Sequence, residues 1–352
     1  MLKRINKVRK SIMIGLTKNV GKSRINTKSG GNIKRILINR PNHRLGNLLL
    51  ITPLLQEIHN TVPGCKVDLF VKGGLAPILF ENYQNVSRII KLPKKPFKEL
   101  FKYMNVWVKL RKHRYDMVIN LDKDSSSGRL STQFASASNK VFGENIEELQ
   151  MQFRDYVHMG KRPVYLFRYY MQMLGYDRMQ QPIPNLDIKL TAEELFEGKK
   201  KLEKIVSPEK KTISIFTYAT GSKCYDENWW DTYYNKLLKA FPEYNIVEVL
   251  PVENISKIGF KAHSFYSKDV REIAAVIANS AIFIGADSGI MHLAASSQAP
   301  VVGLFSVTKP EKYEPYGNGS IAIDTNKVDF DENIAKVKKI LSSQQSESLQ
   351  YA

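Results

Sequence analysis

Short apolar runs, each closed by glycine, proline, asparagine or aspartate, recur along this chain. They alternate with longer stretches in which apolar residues stand three and four positions apart. The first pattern predicts buried strands and the second predicts helices with one buried face. Strands are expected near 35–39, 66–71, 88–91, 116–121, 212–219, 245–250, 281–285 and 300–305. Helices are expected near 47–60, 97–113, 161–174, 191–206, 229–240, 269–279, 289–298 and 327–341. Such alternation predicts an α/β protein whose parallel sheets are covered by helices. The proline-bearing segment 180–185 interrupts it midway, with apolar strands on either side. The expected division is therefore an amino-terminal domain over 33–180, a linker over 181–187 and a carboxyl-terminal domain over 188–341. Residues 1–32 form a basic extension, and 342–352 a polar tail expected to fray.

One junction stands out within this pattern. Residues 283–295 read as the end of a buried strand, a polar turn and the start of a helix. Gly285 and Gly289 bracket the turn and would let backbone approach a ligand. Asp287 and Ser288 are residue types that cap helices. The first N–H groups of a helix lack internal partners, and with the helix dipole they make a phosphate site. An ordinary strand–cap–helix junction would use the same residue types, so this run by itself leaves both readings open.

The continuation is more specific. After D-S-G-x-x-H-L-A-A come P-V-V-x-L-F, T-x-P and a later P-x-G. Asp287, Ser288, Gly289, His292, Thr308, Pro310, Pro315 and Gly317 fall on these positions. The pattern resembles glycosyltransferase family 9, the heptosyltransferases. Upstream, the strand at 36–40 and the run 44–55 resemble the family's first strand, R-x-G-D loop and first helix, through Arg44, Gly46 and Asn47. A third segment, the strand at 213–219 followed by Thr220, Gly221, Ser222 and Lys223, resembles the family's donor-phosphate loop.

The resemblance implies a GT-B architecture, with two doubly wound Rossmann-like domains facing a central cleft. It implies an inverting, metal-independent transfer of heptose from ADP-heptose to the lipopolysaccharide core or another surface glycan. No cofactor is needed. Thr220, Gly221, Ser222, Lys223, Asp287, Ser288, Gly289 and His292 would hold the donor, with Arg44 and Gly46 on the acceptor side. Such an enzyme would be cytoplasmic, working at the inner face of the cytoplasmic membrane.

Two departures matter. The family's loop aspartate is thought to be the base, and here Asn47 takes its place; an amide cannot take that proton. His43, near Asn47 in sequence, and Asp122 or Asp124, after the strand at 115–121, are the alternative bases. Capping of a solvated turn would also explain the two aspartates. The family's phosphate-neutralising lysine is replaced by Glu227, leaving Lys223 as its substitute. Helix packing accounts best for the adjacent Trp229 and Trp230. Two further readings stay open: an inactive nucleotide-sugar-binding relative acting as an assembly partner, and a transferase using another nucleotide sugar.

Composition adds limits. The chain has 352 residues, enough for two cores, and 43% hydrophobic and 25% charged residues, which are globular values. Its two cysteines, Cys65 and Cys224, have no metal-site spacing and suggest a reducing compartment. Scattered histidines argue against structural zinc. Charge is unevenly placed: residues 1–120 hold 25 Lys+Arg against 5 Asp+Glu, while the rest hold 28 against 29. An acidic partner is expected on the amino-terminal side, either an anionic glycolipid or glycan acceptor or an anionic membrane surface. No nucleic-acid motif accompanies the charge. Ile5, Val8, Ile12 and Leu16 have helical spacing within the basic extension, which suits either a membrane-surface helix or a disordered tail. A second basic stretch, 91–114, is expected to form a helix with one apolar face.

Overall fold

The computed structural model describes residues 15, 17, 19–27, 32–93 and 100–350. The expected helical spacing of Ile5, Val8, Ile12 and Leu16 lies outside them, as does Phe97. The chain forms two compact units, Met1–Pro184 and Asn185–Ala352.

The first unit is built on β1 (Arg35–Arg40), β2 (Lys66–Lys72), β3 (Val86–Leu92), β4 (Arg114–Asn120) and β5 (Ser136–Val141). They form one parallel sheet in the order β3-β2-β1-β4-β5. The central strand β1 is buried along most of its length, as a parallel strand covered on both faces must be. Strand order reverses at β1, whose neighbours are β2 and β4. Loops leaving the carboxyl ends of β1 and β4 therefore diverge, which opens a crevice in such sheets.

The second unit repeats the plan with β6 (Thr212–Phe216), β7 (Asn245–Val249), β8 (His263–Phe265), β9 (Ile282–Ala286), β10 (Val301–Phe305) and β11 (Ile321–Asp324). The order is β11-β10-β9-β6-β7-β8, again all parallel. Its reversal lies between β6 and β9. One face of this sheet packs on the helix Glu227–Ala240 and the start of Phe330–Gln350. Trp230, Tyr233, Leu237, Ile284, Leu304 and Val337 fill the space between.

Several expectations need correction. The single helix expected near 47–60 is two, Leu45–Leu49 and Thr52–Thr61. Pro53, in the first turn of the second, has no N–H to continue a ladder from the first. Asn47 therefore sits inside a helix rather than in a loop before one; the cap position is Arg44, without a side-chain cap bond. Gly46 is an ordinary buried helical residue rather than a turn residue. The final helix runs to Gln350, so residues 342–350 are helical rather than frayed. Among the described residues, no helix is long and apolar enough to cross a membrane.

Candidate functional site

In the second unit, the residues singled out from sequence gather at the β6/β9 reversal. β9 ends at Ala286, and the chain turns through Asp287 and Ser288 into the helix Gly289–Ser296. Ser288 is the N-cap, its Oγ accepting from the Met291 N–H at 3.2 Å. That leaves the amides of Gly289 and Ile290, whose partners would lie before the helix, at its positive end. Asp287 is not a cap. Its backbone N–H bonds to the Leu304 carbonyl at 3.0 Å, and its buried carboxylate accepts from Lys223 Nζ and Thr308 Oγ1.

Lys223 arrives from the loop after β6. Gly221, with φ of 70°, opens a 3-10 turn over Gly221–Lys223 behind the exposed Thr220. The left-handed φ is one that L side chains rarely adopt, which explains glycine there. Ser222 is exposed in the same turn. Lys223 Nζ also lies 5.7 Å from the centre of the Tyr313 ring, whose other neighbour is His292, centroid to centroid 6.4 Å. Burial pushes the His292 imidazole down to about 4; Asp287 opposes this shift and Lys223 adds to it. The result is a neutral histidine under the loop, largely sealed from solvent.

Glu227 is turned away from this group. It begins the helix Glu227–Ala240, is exposed, and pairs with Lys257 Nζ at 3.1 Å. Asp226 caps that helix through the Trp229 N–H at 2.8 Å. Trp230 is fully buried in the core, and Trp229 stacks on Tyr225 with centroids 4.1 Å apart. Both tryptophans pack, as the sequence suggested.

Two residues here escaped notice in the sequence. Thr217 Oγ1 donates to buried Glu248 at 2.5 Å and accepts the Lys257 N–H at 3.0 Å, tying the loop that carries Lys257 to β7. Burial raises the Glu248 carboxyl above its ordinary value. A lone glutamate inside the apolar β7 was the available signal.

In the first unit, the β1/β4 reversal assembles a second group. Arg40, the last residue of β1, is buried. Its Nη2 donates to Asn47 Oδ1 at 2.9 Å, and its Nη1 lies 3.4 Å from Asp122 Oδ2. Asn47 and Asp122, candidates from separate segments, thus share one guanidinium. Arg40 was read only as the end of a strand; a charged residue closing a buried strand was the clue. The Asp124 N–H donates to Asp122 Oδ1 at 3.1 Å, and Ser125 caps the helix Ser126–Phe134. His43 and Arg44 stand exposed in the intervening loop.

Comparison with known proteins gives these groups a context. Residues 268–339 match the model of glycosyltransferase family 9 (heptosyltransferase). Lipopolysaccharide heptosyltransferase 3 of Escherichia coli is 22% identical over 298 residues, covering 78% of this chain and 85% of that protein. A family 9 glycosyl transferase structure from Veillonella parvula aligns with a TM-score of 0.69 at 17% identity, covering 88% of this chain and 97% of the other. The structure of the E. coli ADP-heptose lps heptosyltransferase II aligns at 0.62 and 16% identity, covering 89% and 100%. An E. coli heptosyltransferase solved with ADP aligns at 0.62 and 18% identity, covering 88% and 99%. The two parallel sheets with their helices match the GT-B fold of these structures.

Proposed function

Taking this chain as a glycosyltransferase of the family 9 type, we propose that it moves heptose from ADP-heptose to the lipopolysaccharide core or a related surface glycan, with inversion and without a metal ion. The reaction would take place at the inner face of the cytoplasmic membrane. The observation that carries this reading is the convergence of Lys223 and Thr308 on Asp287 at the start of Gly289–Ser296. Such a group suits a diphosphate leaving group. Helix amides and a lysine offset the charge that develops as the glycosidic bond breaks, and Asp287 remains to accept hydroxyl hydrogen bonds. On this reading Lys223 takes over the phosphate role of the family lysine, while Lys257 occupies Glu227.

The acceptor hydroxyl must lose a proton, and Asn47 cannot take it. We assign that step to Asp122, held on Arg40 within reach of the same loop. The guanidinium orients the carboxylate. Calorimetric titration with ADP-heptose beside ADP, UDP and GDP sugars, with Asp287→Ala as control, tests the donor site. Preference for another nucleotide sugar would replace the substrate and keep the reaction class.

Asn47 also favours a second reading, a donor-binding relative without turnover. Robust transfer by the wild-type protein would remove it. A gain of turnover in Asn47→Asp, with donor affinity unchanged, would locate the deficit in the base.

A further inference from the structure

The helix Leu100–Lys112 of the first unit has two apolar faces where a packed surface helix needs one. Val106 and Leu110 are buried against the sheet, and Trp107 packs beside them on Phe70 and Phe134. The outward side carries Phe101, Met104 and Val108, exposed at 89%, 58% and 62% of their surface. Helical geometry puts these three within roughly 60° of arc. Arg111 borders the stripe on one side, and Lys112 and Lys109 on the other; all three are exposed. The helix contains no acidic residue, and it lies in the part of the chain where 25 Lys+Arg face 5 Asp+Glu.

We propose that this face of Leu100–Lys112 is a docking surface for a bilayer bearing anionic headgroups. In that arrangement Phe101, Met104 and Val108 enter the boundary between headgroups and acyl chains. Lys109, Arg111 and Lys112 meet the lipid phosphates around them. A glycan would leave the apolar stripe in water. The basic residues on both sides of the stripe, and the charge excess in residues 1–120, select a negatively charged layer over a neutral apolar protein face. The inference holds whichever sugar the protein transfers.

Flotation of the full chain with vesicles of phosphatidylglycerol and phosphatidylcholine, against phosphatidylcholine alone, tests the proposal. The wild-type protein is expected to float with the anionic vesicles only. The combined variant Phe101→Ser, Met104→Ser, Val108→Ser should partition at least ten-fold more weakly, as should Lys109→Gln, Arg111→Gln, Lys112→Gln. Both keep the basic extension 1–32, so any share due to it is constant. Val108→Trp gives a second readout, an emission shifted to the blue on anionic vesicles. A wild-type chain that stays in solution would overturn the proposal. So would apolar substitutions that leave flotation intact, a Val108→Trp spectrum that does not move, or a solution dimer that the apolar variant converts to monomer. Transfer to a soluble acceptor, measured on the same samples, should be unchanged, which keeps the docking result separate from the catalytic one.

Discussion

Lys223 and Thr308 both donate to one oxygen, Oδ2 of Asp287, from loops on opposite sides of β9. That arrangement fixes where the lysine head group points. Lys223→Met is expected to weaken nucleotide-sugar binding by about ten-fold or more, since a hydrogen bond between charged groups contributes about 1.5–3 kcal/mol. Glu227→Gln should change it less than two-fold, because that side chain is exposed and engaged elsewhere. Calorimetry with the two variants separates the two positions. His292 makes a prediction about acid. The unfolded chain takes up the histidine proton near the ordinary value of 6.5, whereas the folded protein resists until about 4. The stabilisation from keeping this ring neutral is complete above 6.5 and is lost as pH falls towards 4. The urea midpoint should fall across that window in the wild type. The fall should be shallower in His292→Gln, the difference isolating this residue from the carboxylates.

Elements were legible in proportion to their apolar content. The buried strands β6, β9 and β10 announce themselves, since each is apolar enough to read as a core strand. β5 reads Ser-Ala-Ser-Asn-Lys-Val and sits at a sheet edge, where one flank needs no apolar neighbour. β8 has three residues and β11 four, too few to show a period. The positions after β6 and β9 could be picked out because their residue types match loop chemistry. The Arg40–Asn47–Asp122 group could not, because it is made by parallel pairing of β1 with β4, strands some eighty residues apart. Gly198 was equally silent. It lies where Ala192–Glu203 meets Val270–Ala278, and a Cβ there would come within 2.5 Å of the Ala275 backbone. Alanine would gain about 1 kcal/mol in helix propensity. Overpacking against a backbone that cannot rotate away costs about 1–3 kcal/mol. Gly198→Ala should therefore lower stability in urea, against the usual direction for an exposed helix.

At the scale of the whole molecule, each unit has its own sheet and its own apolar core. The fragment 185–352 is accordingly expected to melt cooperatively by itself and to keep nucleotide affinity, which calorimetry on the fragment would read. Among the costly devices of the first unit is a buried glutamate. Glu57 receives Arg168 through two bonds, at 3.0 and 2.7 Å, and Arg178 at 3.0 Å. Arg168 also donates to the carbonyls of Gln181 and Pro182, fastening the end of the unit to its interior. Removing Arg168 leaves the buried Glu57 carboxylate with only the partly exposed Arg178 as counterion. Arg168→Met should destabilise the first unit by about 3 kcal/mol or more, measured by chemical denaturation.

The Glu227–Lys257 pair limits which substitutions either position accepts. Glu227→Lys sets two cations side by side at the head of a helix, where positive charge is already disfavoured. Lys257→Glu alone sets two anions there. Either single step passes through repulsion, and only the paired exchange arrives without it. The two positions are therefore expected to vary together or not at all.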